Sequence, residues 1–334
     1  MNNNSVNHKH AQDARYMALA GACTFGEALT LASAWLREAL LARHRTPTEA
    51  TSAEDEQAQE NDWGETPDLD AQVLLAHVAR VARFATLAYP ERLLSPEQAA
   101  SYAELVKRRA AREPIAYLIG HQEFMGLDFL VDHRVLIPRP ETELLAEATL
   151  NEVRSRLDVG KAGAKPPVVA DIGTGSGALA LALAALEPRL PRVYATDISA
   201  DALALARENA ERLGVAQRVV FLQGDLLAPL PERVDVLLAN LPYVSPRDAT
   251  ALPPDVGRYE PALALYGADD GLGHLRRLFA QAPSHVNADA SLYLEFGYDQ
   301  RAAVEALAKA TFPDARLRVV ADYAGWDRFI EIAL

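Results

Sequence analysis

Cysteine is nearly absent. Cys23 stands alone in 334 residues, so no disulfide can form within the chain, which suits a reducing compartment. Long apolar runs are missing as well. The longest, Gly177 to Leu186, falls far short of the roughly 20 residues that a bilayer-spanning helix needs. The stretch from Met1 to Met17 is polar and lacks the apolar core of a secretory signal, so no export, no membrane association and a cytoplasmic location are expected. Positive charge is also scarce. Lys and Arg number 33 against 46 Asp and Glu, a net charge of −13. Phosphate neutralisation supplies most non-specific affinity for nucleic acid, so no direct nucleic-acid partner is expected. With 50% hydrophobic and 24% charged residues, the chain is an ordinary globular one, neither disordered, fibrous nor disulfide-scaffolded. Its length suits about two domains.

What is present divides at about residue 115. Thr24-Phe-Gly-Glu27 is a capping box, in which hydroxyl and carboxylate satisfy each other's orphan backbone donors. Leu29, Leu31, Ala32, Leu36, Leu40 and Leu41 continue it as an apolar stripe at helical spacing. The pattern then stops from His44 to Pro67. Thr51 to Thr66 carries six acidic residues and no basic one, which reads as an exposed acidic loop, dispensable for folding. A second helix is expected over Asp68 to Val81. A third begins at Ser95-Pro-Glu-Gln98, with an N-cap, a proline at the first helical position and a capping glutamine. After Pro114, Gln122 to Val131 reads as a hairpin broken by Gly126. A helix is expected from Glu141 to Leu157, then a loop from Gly160 to Pro167.

From Val168 strands and helices alternate. Strands are expected at 168–171, 192–197, 219–223, 234–239, 291–296, 316–320 and 327–332. Helices are expected at 177–186, 200–213, 271–281 and 300–310. That alternation predicts an α/β fold around a mostly parallel sheet. The expected organisation is a polar tail over 1–22, a small helical domain over 23–115 with its insertion at 44–67, a β-hairpin linker over 116–140, and the α/β domain over 141–334.

Four features carry chemistry. The first is Asp171-Ile-Gly173-Thr174-Gly175-Ser176-Gly177, between a strand and a helix. Glycines admit positive φ and a close backbone approach, and the helix N-terminus beyond offers free N–H groups. The spacing departs from the G-x-G-x-x-G of dinucleotide folds and is closer to that of S-adenosylmethionine (AdoMet) enzymes; a tight strand-to-helix turn is the plainer reading. The second is Asp197, ending the next strand, placed to take two ribose hydroxyls or to serve as a charge near a helix start. The third is Gly224-Asp225, an acceptor for an adenine amine or simply a turn. The fourth is Asn240-Leu241-Pro242-Tyr243, at the end of a buried strand. There the Asn240 oxygen and the Leu241 carbonyl offer two acceptors, Pro242 stiffens the turn and Tyr243 adds an aromatic wall. Two acceptors beside a flat wall suit a planar –NH2 group. The Leu241 side chain is expected to matter little, because only its carbonyl is used.

Together these features resemble class I AdoMet-dependent N-methyltransferases. Arg112-Glu-Pro-Ile-Ala-Tyr-Leu-Ile-Gly120, Glu123-Phe-Met-Gly126, Leu136-Ile-Pro-Arg-Pro-Glu-Thr-Glu143, Glu260-Pro261 and Leu294-Glu-Phe-Gly297 narrow the resemblance to the HemK-type protein-glutamine methyltransferases. It covers Asp68 to the C-terminus and, more loosely, Thr24 to Arg43. The resemblance implies a Rossmann-like, mostly parallel seven-stranded sheet, joined by a hairpin to a helical substrate-recognition domain. It implies AdoMet as methyl donor, with S-adenosylhomocysteine as product. It further implies methylation of the side-chain nitrogen of the glutamine in the Gly-Gly-Gln loop of peptide chain release factors, by a monomer. Gly173, Thr174, Gly175, Ser176, Gly177, Asp197, Asp225, Leu226 and Asn240 would then contact AdoMet, and Asn240 to Tyr243 would hold the glutamine amide. Leu241 stands where that family usually has proline. Two other activities remain open at this point: methylation of a large-subunit ribosomal protein, and adenine N6-methylation of DNA or RNA. No metal site is expected, since His8 and His10 lack partners. Lys107, Arg108, Arg109 and Arg112 are expected as a solvated helix end. His121 and His133 flank the hairpin, where either could line the substrate cleft, and are expected to be structural; Glu260 and Glu295 are candidate pocket acids, at least one of them expected to be structural.

Overall fold

The computed structural model describes residues 3–41, 66–159 and 165–334. The expected acidic insertion lies outside them up to residue 65, as do residues 160–164 of the expected loop and the side chains of His8 and His10. The chain forms two compact units, Met1–Ile119 with Pro253–Tyr259, and Gly120–Leu252 with Glu260–Leu334.

The first unit is helical: α1 (Asn3–Ala20), α2 (Phe25–Leu41), α3 (Pro67–Ala79), α4 (Arg83–Ala88), α5 (Pro96–Ala110) and α6 (Ile115–Ile119). Both capping boxes form. Thr24 N donates to Glu27 Oε2 at 3.1 Å and Glu27 N to Thr24 Oγ1 at 3.2 Å, and Ser95 and Gln98 do the same for α5. The buried face of α2 is Phe25, Ala28, Ala32, Trp35 and Leu36, while Leu31 is exposed. Of the expected stripe, Ala32 and Leu36 are buried and Leu29 packs against the core, but tracking leucines picks up exposed Leu31 and passes over Phe25 and Trp35. Burying side chains of this size contributes about 1.5–3 kcal/mol each. Tyr102 fills the centre and donates its hydroxyl to the Ala71 carbonyl at 2.9 Å.

Two expectations are corrected in this unit. The polar tail over 1–22 is instead helix α1, anchored by fully buried Leu19 and by Lys107 Nζ over the Tyr16 ring. A single buried leucine suffices where the neighbours supply the apolar surface. The basic end of α5 is not simply solvated. Arg109 donates to Asp70 at 2.7 Å with both side chains nearly buried, Arg112 is 5% exposed, and Arg108 pairs with Glu113. Arg109 and Arg112 are thus drawn inside, while Lys107 and Arg108 keep close to half of their side-chain surface in solvent.

The second unit begins with the hairpin β1 (His121–Phe124) and β2 (Leu127–Leu130), then α7 (Thr142–Val159). The hairpin is part of this unit's core rather than a linker: Phe124 and Phe129 are buried against Leu145, and Asn209 brackets Leu130 from both sides, accepting from its N–H at 2.7 Å and donating to its carbonyl at 3.1 Å. Next come β3 (Val169–Ile172), α8 (Ala178–Leu186), β4 (Val193–Asp197), α9 (Ala200–Arg212), β5 (Val219–Gln223) and β6 (Val234–Ala239). Beyond the short helix α10 (Pro254–Tyr259), which belongs to the helical unit, the chain adds α11 (Ala262–Leu265), α12 (Gly273–His285), β7 (Val286–Glu295), α13 (Arg301–Thr311), β8 (Arg316–Ala321) and β9 (Asp327–Ala333).

The seven strands lie in the order β5-β4-β3-β6-β7-β9-β8, parallel except for β9. Strands covered on both faces read as near-continuous apolar runs, and β3 and β6 do so but for Asp171 and Asp235, flanked by the almost wholly buried Ala-Leu helix α8. Register brings the strand ends level. Ile172 lies opposite both Thr196 and Ala239, so the chain leaves β3, β4 and β6 at one height. Strand order reverses at β3, and the crevice beyond the carboxyl ends at such a point is where doubly wound sheets bind ligands.

Candidate active site

The glycine loop is held by an acid that the solvent does not reach. Asp171 is fully buried and accepts from Thr174 Oγ1 at 2.6 Å and from Ala180 N at 3.2 Å. Its second oxygen has no partner, and burial pushes its pKa up to about 7. Gly173 and Thr174 both donate to the Thr196 carbonyl at 2.9 Å, while Gly173, Gly175 and Gly177 all take positive φ. Gly175 N donates to Asp197 Oδ2 at 2.9 Å, and the other oxygen of Asp197 accepts from Ser199 N at 2.8 Å. Asp197 thus ties the loop to β4 from within the crevice, and burial raises its pKa.

One cleft is lined by Gly173 to Ser176, Asp197, Asp225, Leu226 and Asn240 to Pro242. Most of the residues expected from sequence are brought together there. Two are not on its walls. Gly177 caps α8 behind the loop, and a Cβ there would lie 2.9 Å from Leu181 Cδ1. Tyr243 directs its hydroxyl to Glu295 Oε1 at 3.5 Å instead of facing the cleft; Phe124 supplies an aromatic wall. Asp225 is engaged by Arg277 and, at 3.3 Å, by Gln281 Nε2, so α12 holds this carboxylate at the rim. Leu226 sits at φ 49° and its carbonyl accepts from Thr196 Oγ1 at 3.0 Å.

Asn240 comes directly after β6 and donates through Nδ2 to Thr142 Oγ1 at 3.1 Å; Thr142 donates to Glu295 Oε2 at 2.7 Å. Burial pushes Glu295 up to about 7. Behind the loop, Gln300 donates to the Tyr243 carbonyl at 2.9 Å and accepts from Gly297 N at 2.9 Å. Glu260, almost wholly buried, accepts from Ile137 N at 3.0 Å and pairs with Arg139, fixing the Pro-Arg-Pro run beside the cleft. Glu295 is a pocket acid that the sequence leaves open, whereas Thr142 and Gln300 are given no role by the sequence alone. The available signal is a glutamate closing an otherwise apolar strand, Ser291 to Phe296. His121, which pairs with Asp128 at the surface, and exposed His133 do not line the cleft; His274 does. Among the described residues no cluster of His, Cys, Asp or Glu is arranged to hold a metal ion, and no helix is long and apolar enough to cross a membrane.

Leu241 is more than a carbonyl. Its side chain is 3% exposed, and its Cδ2 lies 2.9 Å from where a Cβ on Gly173 would stand. The expectation that this side chain matters little is corrected: leucine packs directly over the glycine loop. Leu241→Ala should cost about 2–5 kcal/mol through lost transfer energy and a residual cavity, measured as a fall in the urea midpoint. An unchanged midpoint would mean that the loop collapses onto the gap.

The donor set fits AdoMet. A glycine loop of positive φ, an acid ending β4 and a polar turn ending β5 surround one cleft, and no side chain intrudes at Gly175, where a Cβ would meet nothing within 4 Å.

Several known proteins are similar to this chain in sequence. The family described as PrmC N-terminal domain matches residues 51–120, and that described as Methyltransferase small domain matches residues 155–252. A release factor glutamine methyltransferase of Moorella thermoacetica is 48% identical over 265 residues, 79% of this chain and 90% of that protein. One from Bordetella pertussis is 40% identical over 267 residues, 78% and 93% of the two chains. A solved ribosomal protein L11 methylase from Lactobacillus delbrueckii subsp. bulgaricus is 25% identical, covers 60% of this chain and 80% of its own, and has a TM-score of 0.39.

Proposed function

The chain belongs to the release factor glutamine methyltransferases, and from that membership we propose how its cleft works and on which loop it acts. It is an AdoMet-dependent enzyme that methylates the side-chain nitrogen N5 of glutamine in peptide chain release factors. The glutamine is that of the Gly-Gly-Gln loop, and the enzyme acts as a cytoplasmic monomer. The helical unit recognises the substrate, and the unit that begins at Gly120 carries the chemistry. The reading rests chiefly on one observation: Asn240 to Pro242 line the same cleft as the glycine loop and Asp197.

Bound AdoMet supplies an electrophilic methyl on a sulfonium. Gly173 to Ser176, Asp197, Asp225 and Leu226 would hold it, with Gly177 shaping the loop from behind. An amide nitrogen is a poor nucleophile because its lone pair is delocalised into the carbonyl. The Asn240 oxygen and the Leu241 carbonyl accept the two amide hydrogens and orient that nitrogen. They also stabilise the positive charge that grows on it during attack, so catalysis is positioning plus preorganised electrostatics.

Asp197→Ala removes charge-assisted acceptors and releases Gly175. AdoMet affinity should fall by about 1.5–3 kcal/mol per hydrogen bond lost; unchanged affinity by calorimetry would defeat the ribose role. The substrate is tested by offering release factor, ribosomes and duplex DNA together with methyl-labelled AdoMet. Label is expected on the release factor. Label on ribosomal protein or on DNA would replace this reading with the other.

A further inference from the structure

We infer that Glu295 is a positioning residue: acting through Thr142, it holds the Asn240 amide with its oxygen, not its nitrogen, turned toward the substrate. The inference rests on Asn240 being the amide-binding residue proposed above. The three side chains come from the end of β7, the first turn of α7 and the loop after β6, and Glu295 and Thr142 are each no more than 5% exposed.

The orientation comes from counting hydrogens. An ionised carboxylate only accepts, and a threonine hydroxyl has one hydrogen to give. Thr142 spends that hydrogen on Glu295 Oε2 at 2.7 Å, so toward Asn240 it can only accept. Asn240 must therefore present Nδ2 to it, at 3.1 Å, and Oδ1 turns the other way. Protonation of Glu295 at Oε2, the oxygen that Tyr243 does not engage, reverses each step. The acid donates to Thr142, whose hydrogen then goes to Asn240 Oδ1, and the amide turns over. Its NH2 would then confront the substrate NH2, donor against donor.

The groups facing Glu295 are Tyr243, with its hydroxyl at 3.5 Å from Oε1, Thr142 itself, Arg328 on β9 and Glu141 ahead of α7. Arg328 favours the carboxylate and Glu141 opposes it, but burial dominates and pushes the pKa up to about 7. The competent, ionised form is therefore present above that pH and lost as pH falls through it.

The test is kcat against pH, at saturating AdoMet and release factor, from about pH 6 to about pH 9. Wild type should fall on the acid side, with Glu295 and Asp171, both pushed up to about 7, contributing to the limb. Thr142→Ser, which keeps the hydroxyl, should retain kcat within about threefold and the same profile. Thr142→Val, of equal shape, should lose about 10–100-fold in kcat together with the Glu295 share of the acid limb, and AdoMet affinity should change little. Glu295→Gln accepts from Thr142 without titrating, so its acid limb should lose the proton that belongs to Glu295 and keep at most the one that belongs to Asp171. Wild-type kcat in Thr142→Val, or an acid limb in Glu295→Gln identical to that of wild type, overturns the inference. If Thr142→Val does not fold, the serine and glutamine variants decide. Asn240→Ala in the same assay separates the two claims. Should it be normal, the reading of Asn240 fails and takes this inference with it. Should it be crippled while Thr142→Val is normal, only the relay fails.

Discussion

Asn240→Ala should lower turnover on release factor by about 10²–10³ and leave AdoMet affinity far less affected. The oxygen it removes matters most as positive charge develops on the attacked nitrogen. By analogy with the removal of one oxyanion-hole donor, that loss falls on kcat. The substitution also strips Thr142 of its donor, so the pair it formed with Asn240 is broken from the loop side. Steady-state kinetics read the first effect and calorimetry the control. If turnover were normal, the two-acceptor mechanism would be wrong, whatever the fold.

Gly271→Ala is expected to be nearly as damaging, although it lies well along the chain from Asn240. Gly271 takes φ 75°, and a Cβ there would stand 2.1 Å from the Tyr243 carbonyl oxygen and 2.5 Å from Gln300 Nε2. The first neighbour is backbone and cannot swing aside. Gly267 presses on the same loop, since its Cβ would meet the carbonyl oxygens of Pro242 and Gly271 at 2.3 Å. The turn from Gly267 to Gly273 is closed by Gly273 N donating to Gly267 O at 2.7 Å and joined to the catalytic loop by Gly267 N donating to Val244 O at 3.0 Å. Left-handed backbone costs an ordinary residue roughly 1–2 kcal/mol. A loop pushed out of place costs more in rate, because misplacement near 1 Å already costs about 10²-fold. The specificity constant should drop by at least about a hundredfold, with AdoMet affinity within about threefold. Both are read well below the thermal midpoint, which is recorded alongside. Wild-type kinetics in Gly271→Ala would show that the loop tolerates displacement.

The parts of this molecule legible from sequence are those whose cause is local. Strands β3 to β6 show as apolar runs, the caps at Thr24 and Ser95 as short polar signatures, and the glycine loop as a pattern between a strand and a helix. Helices α4 and α6, of six and five residues, are too short to show a period. Helix α1 lacks a stripe and is held by neighbours that sequence alone does not place beside it. The site divides the same way. Asn240 and Asp197 stand at strand ends and could be read, whereas Thr142 and Glu295 lie 153 residues apart and meet only because α7 packs beside the sheet. Gly267 and Gly271 look like ordinary turn glycines until the fold presses them against Pro242 and Tyr243. Arg109 looks like a surface cation until Asp70 is found beside it.

The central claim is that this cleft places one methyl group on one amide nitrogen. The most direct measurement is mass spectrometry of release factor after incubation with AdoMet and enzyme, with fragmentation of the peptide that carries the Gly-Gly-Gln loop. The account predicts a single added methyl on the glutamine side chain, nearly abolished with Asn240→Ala. A methyl on another residue, or on that glutamine at an undiminished rate with Asn240→Ala, would contradict it.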